Sequence, residues 1–287
     1  MDFLRPSTLD EALAMKTEFP DAVPIAGGTD VMVELNFDAR RPPALLDLGR
    51  VAELSVWTQE NGHVRLGATV PYSRVVTELG DVLPGLAMAS RTVGSPQIRN
   101  RGTVGGNLGS ASPAGDAHPP LVAVAADIEV ASTRGTRTIP AREFFTGPKK
   151  SALEPDELIV AVRVPKAAGP QQFSKVGTRN AMVIAVCSFA VALDVTNKSV
   201  GTGIGSAGPT PLRARQSEEF AAAELPWGSG EPLPENIARA FGELVGAAAR
   251  PIDDVRGSAA YRRHALSVLA RRTLGWAWQS ALQEVAT

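Results

Sequence analysis

Gly27-Gly28 and Gly105-Gly106 are glycine pairs of the kind that let a backbone approach an anion. Without a Cβ in the way, consecutive amide N–H groups can cradle a phosphate or a diphosphate. Thr29 and Asp30 follow the first pair, and Thr103 and Asn107 flank the second. They add hydroxyl, carboxylate and amide groups suited to phosphate, ribose or ring edges. Ordinary turns use the same residues, and the spacing of the dinucleotide-binding Rossmann loop is absent. Two such loops in one chain point to a ligand but do not name it. No Ser/His/Asp set and no Walker lysine motif accompany them. His63, His118 and His264 are scattered along the chain, which favours surface or structural roles over a metal site.

These loops need elements to hold them. Ser7-Thr8 ahead of Leu9-Asp10-Glu11 predicts a capped helix with acidic residues in its first turn. Val23-Pro24-Ile25-Ala26 reads as a short strand entering the first glycine pair, with a helix or a second strand over residues 31–35. Residues 44–48 and 64–68 read as further strands, bounded by Pro42-Pro43 and by the turn pair Asn61-Gly62. Residues 75–90 read as helical, and residues 97–116 as too rich in glycine for the interior of a regular element. Strands are expected over residues 127–131 and 158–164. The breaker-rich Lys166-Ala167-Ala168-Gly169-Pro170 then marks a domain boundary. Beyond it, strands over 173–176, 185–195 and 199–204 precede helices over 214–224, 234–249 and 258–283, the order of an α+β domain.

The whole composition narrows the function further. The 287 residues are 44% hydrophobic and 21% charged, enough for more than one buried core. Lys plus Arg number 29 against 30 Asp plus Glu, a net charge of -1 that offers no basic excess for a nucleic acid. Cys187 is the only cysteine, so neither an internal disulfide nor an iron–sulfur cluster or cysteine-rich zinc site can be built from this chain. No leader-like N-terminus and no apolar run of membrane-spanning length are evident, which predicts a cytoplasmic protein without a membrane span.

Ala26-Gly27-Gly28-Thr29-Asp30, then residues 98–107 ending in Thr103-Val104-Gly105-Gly106-Asn107, then Ser112-Pro113-Ala114-Gly115-Asp116 resemble the FAD-binding medium subunit of the molybdenum hydroxylases. Xanthine dehydrogenase and aerobic carbon monoxide dehydrogenase belong to that family. The likeness runs the whole length, with residues 175–180 and 258–264 resembling the family's C-terminal flavoprotein domain. It implies an α+β chain whose two-lobed FAD-binding domain is of the PCMH (vanillyl-alcohol-oxidase-like) type. That domain would cover residues 1–168, with lobes of about 1–57 and 58–168. A carbon monoxide dehydrogenase flavoprotein-like α+β domain would follow over 171–276, and a helix end over 277–287.

Residue by residue, the resemblance implies a first diphosphate loop of Ile25, Ala26, Gly27, Gly28, Thr29 and Asp30, and a second containing Thr103, Gly105, Gly106 and Asn107. Asp116 falls where the family uses a carboxylate toward the ribose or adenine end, though a cap or a solvated loop acid fits the same residue. Val93 and Ile159 match apolar positions near the isoalloxazine, with plain core packing as the rival reading. Lys175 matches a lysine near the flavin, against a surface strand lysine. Relatives often carry Gly-Gly-His-Ser in the first loop, where this chain has Gly27-Gly28-Thr29-Asp30. With no histidine in either loop, FAD is expected to be held noncovalently. Asp30 would repel a diphosphate unless it turns away or meets a hydroxyl.

A flavin exchanges electrons singly or in pairs. The resemblance therefore implies a partnership in which a large subunit carries molybdenum-pterin and a small one carries iron–sulfur clusters. The FAD of this subunit would hand electrons to NAD or another acceptor, with xanthine or a related purine as the organic substrate. The rival readings are a stand-alone flavin-dependent oxidoreductase with its own small substrate and a noncatalytic assembly module.

Overall fold

The computed structural model describes residues 1–285; of the expected C-terminal helix end, Ala286 and Thr287 lie outside the described residues. The first lobe grows from a small parallel sheet in which Ala44–Asp47 lies between Asp2–Leu4 and Val23–Ile25. The helix Leu9–Glu18 covers it. Its Thr8 hydroxyl accepts from the Glu11 amide at 3.2 Å, and Ala12 and Leu13 are buried. Because the strands are parallel, Ala26 and Gly27 emerge at the carboxyl end of the sheet, where α/β folds place ligands. A short helix, Val31–Asn36, follows the first glycine pair.

The second lobe is a five-stranded antiparallel sheet in the order Trp57–Glu60, His63–Gly67, Leu158–Pro165, Asp127–Ser132 and Gly135–Pro140. Leu158–Pro165 is buried on both faces and joins the lobes. A register shift between Ile159 and Ala161 lets Leu158 and Val160 enter the first lobe's core, while Ile159, Val162 and Val164 enter the second.

Two sequence expectations change here. Residues 75–90 form two helices, Tyr72–Glu78 and Pro84–Arg91, because Pro84 starts a new first turn, where its missing N–H costs nothing. Residues 97–116 are not irregular throughout, since they contain the helices Pro96–Arg99 and Val104–Ser110. The Thr103 hydroxyl caps the second of these by accepting from the Gly106 amide at 2.9 Å. Gly105 seats it, for a Cβ there would lie 2.4 Å from the Ala68 carbonyl oxygen. Packing thus outweighs glycine's low helix propensity, about 1 kcal/mol below alanine per residue.

In the C-terminal part, Gln171–Val176, Cys187–Asp194 and Ser199–Gly205 form an antiparallel sheet. One face packs on the helices Arg215–Glu224, Glu235–Ala248 and Ala259–Val285, with Phe189 edge-on to Phe241 at 6.0 Å. The other face lies on the helices Pro84–Arg91 and His118–Ala123 of the N-terminal part. Gly201 and Gly203 make that seam close, because a Cβ on either would stand about 2 Å from the backbone oxygens of Ala123 and Pro119.

Candidate functional site

A cavity of about 490 Å³ opens between the two lobes. Ala26, Gly27, Gly28, Thr29 and Asp30 line one side, and Val93, Thr103, Gly105, Gly106, Asn107 and Ile159 line the other. The two glycine loops touch. A Cβ on Gly27 would fall 1.7 Å from the Arg101 carbonyl oxygen, and one on Gly102 would meet the Thr29 hydroxyl at 3.4 Å. Gly28 turns the chain at φ +75°, a conformation that suits glycine. Its carbonyl accepts the Met32 amide at 3.0 Å, and the Asp30 carbonyl accepts the Glu34 amide at 3.1 Å, so these two amides of the helix that follows are engaged within the loop.

The second loop is only partly free to bind. The Gly106 amide bonds the Thr103 hydroxyl, and the Asn107 amide bonds the Thr103 carbonyl at 3.0 Å. The Asn107 side-chain oxygen accepts from the Ala117 amide at 3.4 Å. Thr103 and Asn107 therefore shape the loop first, and Gly105 and Gly106 of its opening turn line the cavity. Gly106 still matters as open space, since a Cβ there would meet only Thr103 Oγ1, at 3.1 Å.

Ile25, Asp116 and Lys175 stand outside the lining of this cavity. The Ile25 side chain backs the first loop, its Cδ1 3.4 Å from the place a Gly28 Cβ would take. Asp116 and Lys175 form a buried ion pair at 2.6 Å behind the Val93 wall. Burial pushes the Asp116 carboxyl above its ordinary range, against the pull of Lys175 and the Thr92 hydroxyl. Its second oxygen, Oδ1, is buried without a partner.

Other residues of the cleft carried no signal in the sequence. Tyr72 lines it, and its hydroxyl is buried without a partner. Burial first, then the Asp116 and Asp30 carboxylates, raise this phenol well above its usual value, so it stays protonated. Asp30 and Tyr72 line the same cavity. Lys16 lines the far end, and its ammonium donates to the carbonyls of Pro20 at 2.6 Å and Ala22 at 2.8 Å. A lysine in the last turn of an amphipathic helix looks like a surface residue, and a lone tyrosine opening a helix looks like core. His118 is buried, and burial lowers its pKa to about 4. It is therefore neutral, with Nε2 3.1 Å from the Asn107 carbonyl oxygen. Among the described residues, no helix is long and apolar enough to cross a membrane.

A dinucleotide fits these features. Paired backbone turns face each other across one cleft, apolar Val93 and Ile159 flank it, and Cβ-free space lies at Gly106. Residues 1–167 match the family described as the FAD binding domain in molybdopterin dehydrogenase, and residues 172–277 match the CO dehydrogenase flavoprotein C-terminal domain. The chain is 31% identical to a xanthine dehydrogenase FAD-binding subunit of Escherichia coli, over 96% of each chain. Among solved structures it resembles carbon monoxide dehydrogenase from Hydrogenophaga pseudoflava, with a TM-score of 0.90 and 28% identity over 98% of each chain. It also resembles quinoline 2-oxidoreductase from Pseudomonas putida 86, with a TM-score of 0.91 and 26% identity over 98% of each chain. With two glycine turns closing on one cleft and both family matches in chain order, the protein belongs to the molybdenum hydroxylase family as an FAD-binding oxidoreductase subunit.

Proposed function

We propose that this subunit passes electrons from the iron–sulfur clusters of a small partner subunit to NAD or another acceptor, within a cytoplasmic complex whose large subunit carries molybdenum-pterin. The observation that carries this reading is the contact of Gly27 and Thr29 with Arg101 and Gly102 beside one cleft that both glycine loops line. Bound FAD supplies the capacity to take electrons singly and release them in pairs. The chain's own residues position it. The amides of the two glycine turns hold the diphosphate, Val93 and Ile159 wall the isoalloxazine, and Thr29 and Asp30 meet hydroxyl groups. With one cysteine, itself buried, the chain cannot build the one-electron side alone. The organic substrate we assign is xanthine or a related purine, a reading supported by the similarity to the xanthine dehydrogenase subunit.

Purified protein should carry, or take up on reconstitution, one tightly bound FAD. Under anaerobic conditions NADH should bleach the visible flavin band of the isolated subunit, whereas xanthine should do so only once the two partner subunits are added. Bleaching by an organic substrate without partners would favour a stand-alone oxidoreductase. A preparation that cannot bind FAD would overturn the assignment.

A further inference from the structure

The cleft reaches beyond the first glycine pair to an end lined by Lys16, Pro20, Asp21, Ala22, Pro24 and Arg40. The strand Val23–Ile25 leads from this end to the glycines, and each strand residue adds about 3.3 Å. Lys16 is only 6% exposed, and its ammonium donates to the carbonyls of Pro20 and Ala22. An ammonium has three N–H groups and no acceptor, so among the described residues one donor has no protein acceptor. Arg40 is exposed and, among the described residues, makes no hydrogen bond or ion pair. Burial first lowers the Lys16 ammonium from its ordinary value; the Asp21 carboxylate opposes that lowering and the Arg40 guanidinium adds to it. Two cations that disfavour each other therefore share this end of the cleft, with unused donors and Asp21 as the carboxylate nearby.

These groups select among ligand chemistries. A phosphate here would gain from the cations but meet the Asp21 carboxylate, and the diphosphate already belongs to the glycine loops. An adenosine suits the set better. Its ring nitrogens and ribose oxygens accept hydrogen bonds, its exocyclic amine and ribose hydroxyls donate to a carboxylate, and a guanidinium plane stacks on its ring. Pro20 and Pro24 add apolar surface. Resting on the FAD assignment, we propose that Lys16, Arg40 and Asp21 receive the adenosine half of the dinucleotide. Lys16 and Arg40 supply the donors and Asp21 the acceptor. The three residues thereby discriminate FAD from FMN, which carries no adenosine, while the isoalloxazine lies toward Val93 and Ile159.

The test uses the full chain, freed of flavin and titrated with FAD, ADP and FMN. ADP should displace FAD from the wild-type protein. Arg40→Met and Lys16→Met should each weaken FAD and ADP about tenfold, as the loss of one contact from a charged donor does. FMN should bind far more weakly than FAD and should bind all three proteins alike, within about twofold. The urea midpoint of FAD-free Arg40→Met should match wild type, since that side chain holds no partner in the fold. In protein labelled at lysine, the Lys16 side-chain resonance should shift on adding ADP and stay in place on adding FMN, which reports on the ammonium itself. Unchanged FAD and ADP affinity in Arg40→Met, an equal loss for FMN, or a Lys16 resonance that ADP does not move would overturn the proposal. If Lys16→Met does not fold, the wild-type lysine resonance and Arg40→Met decide. A wild-type chain that takes up no FAD defeats the FAD assignment, whereas normal FAD uptake beside ADP that fails to compete defeats only this inference.

Discussion

Replacing Gly106 with leucine should separate binding from folding. Gly106 lies inside the helix Val104–Ser110 and lines the cleft, and a Cβ there meets only the Thr103 hydroxyl. The FAD-free protein therefore has room for the new side chain. Leucine also restores roughly 0.8 kcal/mol of helix propensity relative to glycine, which offsets the small adjustment asked of Thr103. The free fold should unfold within about 1 kcal/mol of wild type. With FAD the balance reverses, because the side chain occupies the approach to the opening turn at Val104 and Gly105. Two amide bonds to a charged phosphate contribute about 1.5–3 kcal/mol each, so losing both weakens binding by about 3–6 kcal/mol, a factor of at least ~100 in Kd. The assay is a pair of urea titrations of the deflavinated proteins beside a fluorescence titration of each with FAD. Wild-type FAD affinity in Gly106→Leu would remove this loop from the site, and an unfolded free protein would show that the space at Gly106 is not open.

Gly27→Ala should behave in the opposite way. Its Cβ would run into the Arg101 carbonyl, so the loops must part, and urea unfolding of the FAD-free protein should show a loss of about 1–3 kcal/mol together with weakened FAD binding. Gly203→Ala drives a Cβ into the Pro119 carbonyl at the domain seam and should cost about 1–3 kcal/mol in urea unfolding, with the FAD-free protein affected as strongly as the loaded one. His118 is held near pKa 4 in the fold against 6.5 when exposed, so its stabilisation is complete above the unfolded value and is lost as pH falls toward 4. That loss amounts to about 3 kcal/mol, and His118→Gln should flatten the dependence of the urea midpoint on pH across that window.

Much of this architecture could be read from the chain. Val64 and Leu66, Ile128 and Val130, and Val162 and Val164 alternate as half-buried strands do, and all are buried. Thr8, with acids in the following turn, announced a helix that the structure places there. Residues 31–35, open between helix and strand, fall in the helix Val31–Asn36. The helix Val104–Ser110 was hidden because its stability comes from the Thr103 cap and from contact with the Ala68 backbone, neither of which leaves a periodic trace. The link between Lys175 and Asp116 was hidden for a similar reason. It joins residues far apart in sequence, and a lysine on a strand reads as surface until the fold buries it.

The glycines show where sequence reasoning stops. At Gly27 the missing Cβ admits the Arg101 backbone, at Gly105 it seats a helix on the Ala68 backbone, and at Gly28 what counts is a positive φ. Only at Gly106 does the space belong to the cleft. Four glycines thus answer three different physical demands: close backbone approach at two of them, conformation at one and room for a ligand at one. A glycine pair in a sequence states that some such demand exists, and only the identity of the atoms facing each missing Cβ says which. The FAD site is therefore legible as a pair of loops from the chain alone, while the division between residues that build the cradle and residues that receive the cofactor follows from the packing of Arg101, Ala68 and Thr103 around them.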